Sequence, residues 1–449
     1  MLAKTSKPAD ATRSMRASVR LWASGAIVGP PLLIFGLLRP DDGSVSFFVL
    51  LGVAAIGYLL ALHQVAHGLR PSGRALLACA ALALAWRIPM VLAPPEAAAD
   101  LRRYVWDAHL LRTGSSPYAV VPADPAFAHL RTAESWPLNN PDVPSPYPPG
   151  AQLFFLAATA PSESALALKL AFLLCDALLA LVIWKTLVVT GANPGWVLAY
   201  LWSPLVSLEV ARHGHLDVLG ALLLALAALA FSRGRGLAGS VAFALSVGVK
   251  PLPIVLLPLL WRRVSLRYAA AGLAVLVALY LPFRDHGRLP LGSMMAVIDR
   301  FRFNGPIFSA ISAGAGPVVA AGFAVAAGLG VAIWARRRLE LRSPEAWAWP
   351  MATTLLCAPL VYPWYLVWLT PFLVGTQTMP LTIWTVSILS TYVAWQRVGV
   401  PWGVPVWVTV VQYGALLGAV LWAWGRNQVP RPISSPPTYP IPPASPPPS

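Results

Sequence analysis

The chain has 449 residues, of which 57% are hydrophobic and only 11% charged, with a mean hydropathy of +0.65. A soluble globular protein cannot carry that much apolar surface into water, so most of the chain faces lipid or packs within it. The formal net charge of +16 falls mainly in short connectors between apolar segments, as positive-inside topology requires, which removes nucleic acid as the partner such a charge would otherwise suggest.

The chain opens with a basic, polar N-terminus, residues 1–20, carrying Lys4, Lys7, Arg13, Arg16 and Arg20. No cleaved signal is expected: 21–38 is long and lacks a small-residue cleavage site, so it reads as the first anchor. Apolar stretches of about 20 residues recur from there to 404–424 and predict about twelve or thirteen spans. The expected fold is an all-α polytopic integral membrane protein with a large outer loop bearing surface helices. Three spans within 21–93 bring the chain to the outer face at Pro94, because the basic N-terminus is held in the cytoplasm.

An outer loop at 94–163 follows. Its apolar piece 151–160, bracketed by Pro148-Pro149 and Pro161, is too short to cross roughly 30 Å of hydrocarbon and is expected to be re-entrant or interfacial. The multi-span helical domain is placed at 164–424. Within it 239–261 is expected to fold back at Lys250-Pro251-Leu252-Pro253, since proline breaks a helix. The remainder, 425–449, is a Pro/Ser-rich tail that cannot build a packed core and is expected to be disordered on the cytoplasmic side. Cys79, Cys175 and Cys357 lie in apolar segments without metal spacing and read as small core residues.

Candidate chemistry gathers in the outer loops. Asp100-Leu101-Arg102-Arg103-Tyr104-Val105-Trp106-Asp107 reads as an amphipathic surface helix ended by Gly114. Asp100, just beyond the third span, suits either a general base that takes a proton from an acceptor hydroxyl or a helix cap. Asp107 lies on the same face and pairs with Arg103. Trp136-Pro137-Leu138-Asn139-Asn140-Pro141 and Ser145-Pro146-Tyr147-Pro148-Pro149 are aromatic and proline rich, and supply a rigid wall for a sugar ring, or interface anchors.

Further on, Arg212-His213-Gly214-His215-Leu216-Asp217 forms a tight turn. It suits hydrogen bonds to sugar hydroxyls, neutralisation of phosphate through Arg212, or a turn that closes two helices. A metal site would want further ligands at recognisable spacing, and none is evident. Lys250 in an apolar hairpin needs an anion. Asp176 or Glu209 could supply it internally, and the alternative is the phosphate of a lipid-linked substrate, with Arg284, Arg288, Arg300 and Arg302 contributing from a later outer loop.

Taken together, these residues resemble the C-superfamily of membrane glycosyltransferases that use polyprenyl-phosphate sugars. Asp100 to Asp107 with Gly114 to Tyr118 is similar to the family's first large outer loop, and Tyr147-Pro148-Pro149 with Gln152 to its exit. Trp202-Ser203-Pro204-Leu205, Gly214-His215-Leu216-Asp217 and Lys250-Pro251-Leu252-Pro253 follow in the order of bacterial family 87-like members and of the mannosyltransferase that builds the glycolipid anchor core. Phe303-Asn304-Gly305 and Tyr362-Pro363-Trp364-Tyr365 extend the likeness over most of 94–375.

The resemblance implies inverting transfer of a sugar, most commonly mannose, from a polyprenyl phosphate to a hydroxyl of a glycolipid, glycan or protein. It implies no nucleotide, no cofactor and no obligatory metal, and a multi-pass protein of the cell membrane with cytoplasmic termini and an extracytoplasmic active site. By position, Asp100 is the base; Lys250, Arg212, Arg300 and Arg302 meet the donor phosphate. Arg103, Tyr104, Asp107, Tyr118, Tyr147, His213, His215, Asp217, Asn304, Trp364 and Tyr365 line the substrates. The chain departs from many relatives in having Ala99 before Asp100, which leaves one carboxylate where two are common, and Ala108 where glycine often follows.

The rival reading is a transporter or lipid flippase with His213, His215, Asp217 and Lys250 at a midplane site. It expects internal repeats, which the sequence does not display. Asp100 beside His215 and Lys250 in one outward cavity favours the enzyme; scattering around a central channel favours the carrier.

Overall fold

The computed structural model describes residues 8–96, 99–284, 290, 292–293, 301–396 and 403–428. Apart from one isolated bridge between Phe303 and Leu360, the described residues form helices and connectors. In chain order the main helices are α1 (Pro8–Leu37), α2 (Val45–Ala66), α3 (Gly73–Leu92), α4 (Asp100–Arg112), α5 (Pro149–Ala158), α6 (Ala165–Val189) and α7 (Asp217–Ser232). They continue as α8 (Gly236–Val249), α9 (Leu266–Tyr280), α10 (Pro306–Ala315), α11 (Pro317–Arg338), α12 (Pro344–Leu356), α13 (Met379–Ser387) and α14 (Val406–Gln428).

Among the described residues, seven helices are long and apolar enough to cross a membrane, within α1, α2, α3, α6, α11 and α14 and over α9 with the turn that continues it to Phe283. Leu77, Leu174, Leu273 and Val410 lie exposed on them, as lipid permits and water would not. The other apolar stretches counted toward twelve or thirteen spans are divided into shorter pieces, because prolines and turns interrupt them. Pro251 is the clearest case. It forces Lys250 into an extended conformation, φ −152° and ψ 145°, so α8 stops at Val249 and a 3₁₀ turn, Leu252–Leu256, follows.

Serine side chains start three of the long helices. Ser44, Ser72 and Ser164 accept from the amides of Phe47, Ala75 and Ala167, satisfying donors that a helix start leaves open. α5, bracketed by prolines as expected, runs for only 10 residues. It packs on α4 and on the end of α8. The core is one continuous cluster that includes Tyr58, Trp86, Leu101, Tyr104, Trp202, Trp347 and Trp368.

Candidate functional site

α4 is placed by its apolar face: Leu101, Tyr104, Val105 and Ala108 enter the main core, while Trp106 and Leu110 pack on Val120 and Leu138 of the following loop. Gly114 ends it at φ +78°, with the Ser115 amide reaching back to the Leu110 carbonyl. Asp100 is its first residue and Ala99 holds the cap position. The Asp100 carboxylate makes no capping bond. Instead it accepts from the Asn139 amide and, at 3.3 Å, from the Tyr147 hydroxyl. The positive end of α4 favours an anion at this point.

Arg103 and Asp107 tie down the loop between α4 and α5. They pair at 3.3 Å, both buried. Asp107 also accepts from Ser145 at 2.5 Å and Gln152 at 2.9 Å, while Arg103 donates to the carbonyls of Asn140 and Val143. Tyr118 donates to the Tyr147 carbonyl at 2.8 Å. These three residues hold Asn139 and Tyr147 against Asp100. Tyr104 stacks on Phe155 and meets Tyr147 edge-on.

Opposite Asp100 the chain makes a π-helical turn, Ser207–Arg212, a rare form that occurs frequently at functional sites. It ends in the glycine turn, Gly214 at φ +70° packed on Leu101, which a residue with a side chain would strain. The turn places His215 Nε2 3.9 Å from Asp100 Oδ2 and His215 Nδ1 3.0 Å from Glu209 Oε2. Tyr392 donates to the other Glu209 oxygen at 2.8 Å, and Trp364 stacks on the imidazole at 4.2 Å between centroids. Burial alone would lower the His215 pKa, but Glu209, by hydrogen bond and charge, with Asp100 and Asp217, carries it above the ordinary histidine value.

Beside this array, Lys250 Nζ contacts both oxygens of Asp217, which also accepts from Trp368 Nε1 at 2.6 Å. Tyr365 lies under the ammonium at 4.7 Å. The internal partner of Lys250 is therefore Asp217, not Asp176 or Glu209. Asp176 pairs with Arg87 and Tyr200, and Glu209 with His215 and Tyr392.

The structure thus brings Asp100, Tyr104, Tyr147, His215, Asp217, Lys250, Trp364 and Tyr365 to one region. Others stand apart. Arg212 lies 2.9 Å from Asp42 and 3.6 Å from Glu96, with His213 3.4 Å from Asp42, around a neighbouring cavity of about 510 Å³ also lined by Arg39 and Lys169. Burial lowers the His213 pKa, and it raises Asp42 to about 7 despite Arg212. Arg302 lies over the Phe308 ring, and Asn304 is buried against Gln412 and Val361. Arg300 and Arg288 are outside the described residues.

Asp42, Glu96 and His213 are, among the described residues, the one group with donor atoms close enough for a metal. The Arg212 guanidinium already occupies both carboxylates, so a dication there would meet a fixed positive charge. Trp368 and Tyr392 are contributors that the sequence did not mark for the site, and Glu209, read from the sequence only as a counter-charge for Lys250, faces His215 instead. Glu209, an acidic residue amid the apolar run 204–211, carried the one available signal.

No curated protein and no solved structure matches the chain. The family model for the alpha-(1->6)-mannopyranosyltransferase N-terminal domain matches residues 7–265, more than half of the sequence, and the chain belongs to this family of membrane mannosyltransferases.

Proposed function

We propose that the protein transfers mannose, with inversion, from a polyprenyl-phosphate donor to the C6 hydroxyl of a mannose in a glycolipid or glycan acceptor, at the extracytoplasmic face of the cell membrane. The observation that carries this reading is Asp100. It is free of helix capping, oriented by Asn139 and Tyr147, and faces His215. Asp100 takes the proton of the acceptor hydroxyl as that oxygen attacks the anomeric carbon. The bond from C1 to the phosphate oxygen breaks on the opposite face, its electron pair leaves with the lipid phosphate, and an α product follows from a β-linked donor. No covalent enzyme intermediate is required. Lys250, with its side chain 19% exposed above Tyr365, is placed to meet the charge that grows on the phosphate.

A lipid-linked donor suits a site at the mouth of membrane helices, where the tail lies between spans and the head reaches α4. Asp100 beside His215, with the Asp217–Lys250 pair next to them, supports transfer over transport. Asp100→Asn tests the reading with purified protein, polyprenyl phosphomannose and an α-1,6-linked mannobiose acceptor. Turnover is expected to fall by about 10³-fold with folding intact, and near-normal turnover overturns the assignment.

A further inference from the structure

Glu209 is fully buried, and it has no part in the transfer step as proposed. Its two oxygens are divided between two partners on different segments: Oε1 accepts from Tyr392 at 2.8 Å, and Oε2 faces His215 Nδ1 at 3.0 Å. Neither Oε2 nor Nδ1 has another hydrogen-bond partner among the described residues, so this carboxylate, as the anion nearest to Nδ1, favours the proton of a neutral imidazole there and leaves Nε2 as an acceptor. Nε2 is the nitrogen that faces Asp100. Trp364, stacked at 17° on the ring, restricts its rotation.

We infer that Glu209 and Tyr392 are positioning residues: together they hold His215 with Nε2 toward Asp100, so that the proton Asp100 removes from the acceptor passes on to His215. The 3.9 Å separation closes by about 1 Å, or is bridged by one water, when substrates bind. The resulting imidazolium lies against the Glu209 carboxylate, and its proton returns to water after product release. Asp100 is then ready for another acceptor. This inference rests on Asp100 acting as the base.

The charged and titratable groups around His215 are Glu209, Asp100, Asp217, Asp42 and His213, with Lys250 on Asp217 and Arg212 on Asp42. Because His215 must be neutral to accept, turnover rises with pH through its pKa. Glu209→Gln removes the principal support of the protonated ring. The acid limb of the pH–kcat profile is expected to move to lower pH by about one unit, and maximal kcat to fall by about 100-fold with little change in donor KM. Tyr392→Phe deletes the donor that partly neutralises Glu209, so it moves the limb by less and toward higher pH, and it serves if the Gln variant does not fold. Glu209→Asp is expected to recover part of the loss.

An unmoved acid limb in Glu209→Gln, or in Tyr392→Phe where only that variant folds, overturns the inference, as does a change confined to KM. If Asp100→Asn retains turnover, the base assignment itself has failed. If Asp100→Asn is inactive while Glu209→Gln keeps the wild-type profile, only the role of Glu209 and Tyr392 has failed.

Discussion

Lys250 Nζ lies 2.7 Å from Asp217 Oδ1 and 2.8 Å from Oδ2, joining the broken end of α8 to the first turn of α7. The Asp217 side chain is wholly buried, so neither charge tolerates loss of the other. Asp217→Asn is expected to destabilise the protein by about 2 kcal/mol, because a half-buried ammonium is left without its counter-charge. The double substitution Asp217→Asn with Lys250→Gln is expected to be less damaging than Asp217→Asn alone. Thermal unfolding in detergent of the two single variants and the pair measures the coupling. A double variant as unstable as the sum of the singles would mean that the ion pair contributes nothing.

The loop between α4 and α5 supplies a second prediction. Tyr147 donates to Asp100 and is itself held by Tyr118 through its carbonyl. Tyr147→Phe keeps the edge-on ring contact with Tyr104 and deletes only the hydroxyl. About a tenfold loss of kcat is expected, with stability changed by no more than about 1 kcal/mol. Steady-state turnover together with a melting curve separates the two, and unchanged kcat would remove Tyr147 from the orientation of the base.

Asp42 predicts a pH dependence of stability. Burial raises its pKa from the ordinary 3.8 to about 7, with Arg212 working against the shift and Glu96 and Glu209 adding to it. Between those two values the folded state binds more protons than the unfolded one. The contribution of Asp42 is therefore fully present below about pH 4 and is lost as pH rises through about 7. Asp42→Asn is expected to flatten the fall of melting temperature across that window. A melting profile that keeps the wild-type slope would exclude Asp42 as its source.

Much of the helix grammar was legible in the sequence: Gly114 ends α4, the prolines shorten α5, and Lys250-Pro251 breaks the apolar run that contains it. Those features depend on residues within a few positions of one another. Asp100 was legible for the same reason, as an acid placed just after an apolar span. Its neighbours were not. Asn139 arrives 39 positions later and Tyr147 47 positions later, and no local pattern encodes which loop residue returns to the start of α4. Glu209 with Tyr392, 183 positions apart, is the extreme case. Grouping Arg212 with Lys250 on a common phosphate followed from charge alone. The structure separates them because Asp42 and Asp217 each claim one.

Gly220 gives the last prediction. It lies on α7 one turn beyond Asp217, and a Cβ there would overlap the six-membered ring of Trp368. That ring cannot retreat freely, since Trp368 is 1% exposed and its Nε1 donates to Asp217 at 2.6 Å. Gly220→Ala is therefore expected to cost about 2 kcal/mol through overpacking, although alanine favours the helix intrinsically. It should also displace the indole from Asp217, loosening the pair with Lys250 and raising donor KM. Adding Trp368→Phe distinguishes the two consequences. The smaller ring relieves the overlap, so stability recovers, but phenylalanine cannot supply the lost hydrogen bond, so the KM defect persists. If the double variant regains both properties, the Trp368 indole nitrogen has no role beyond filling space.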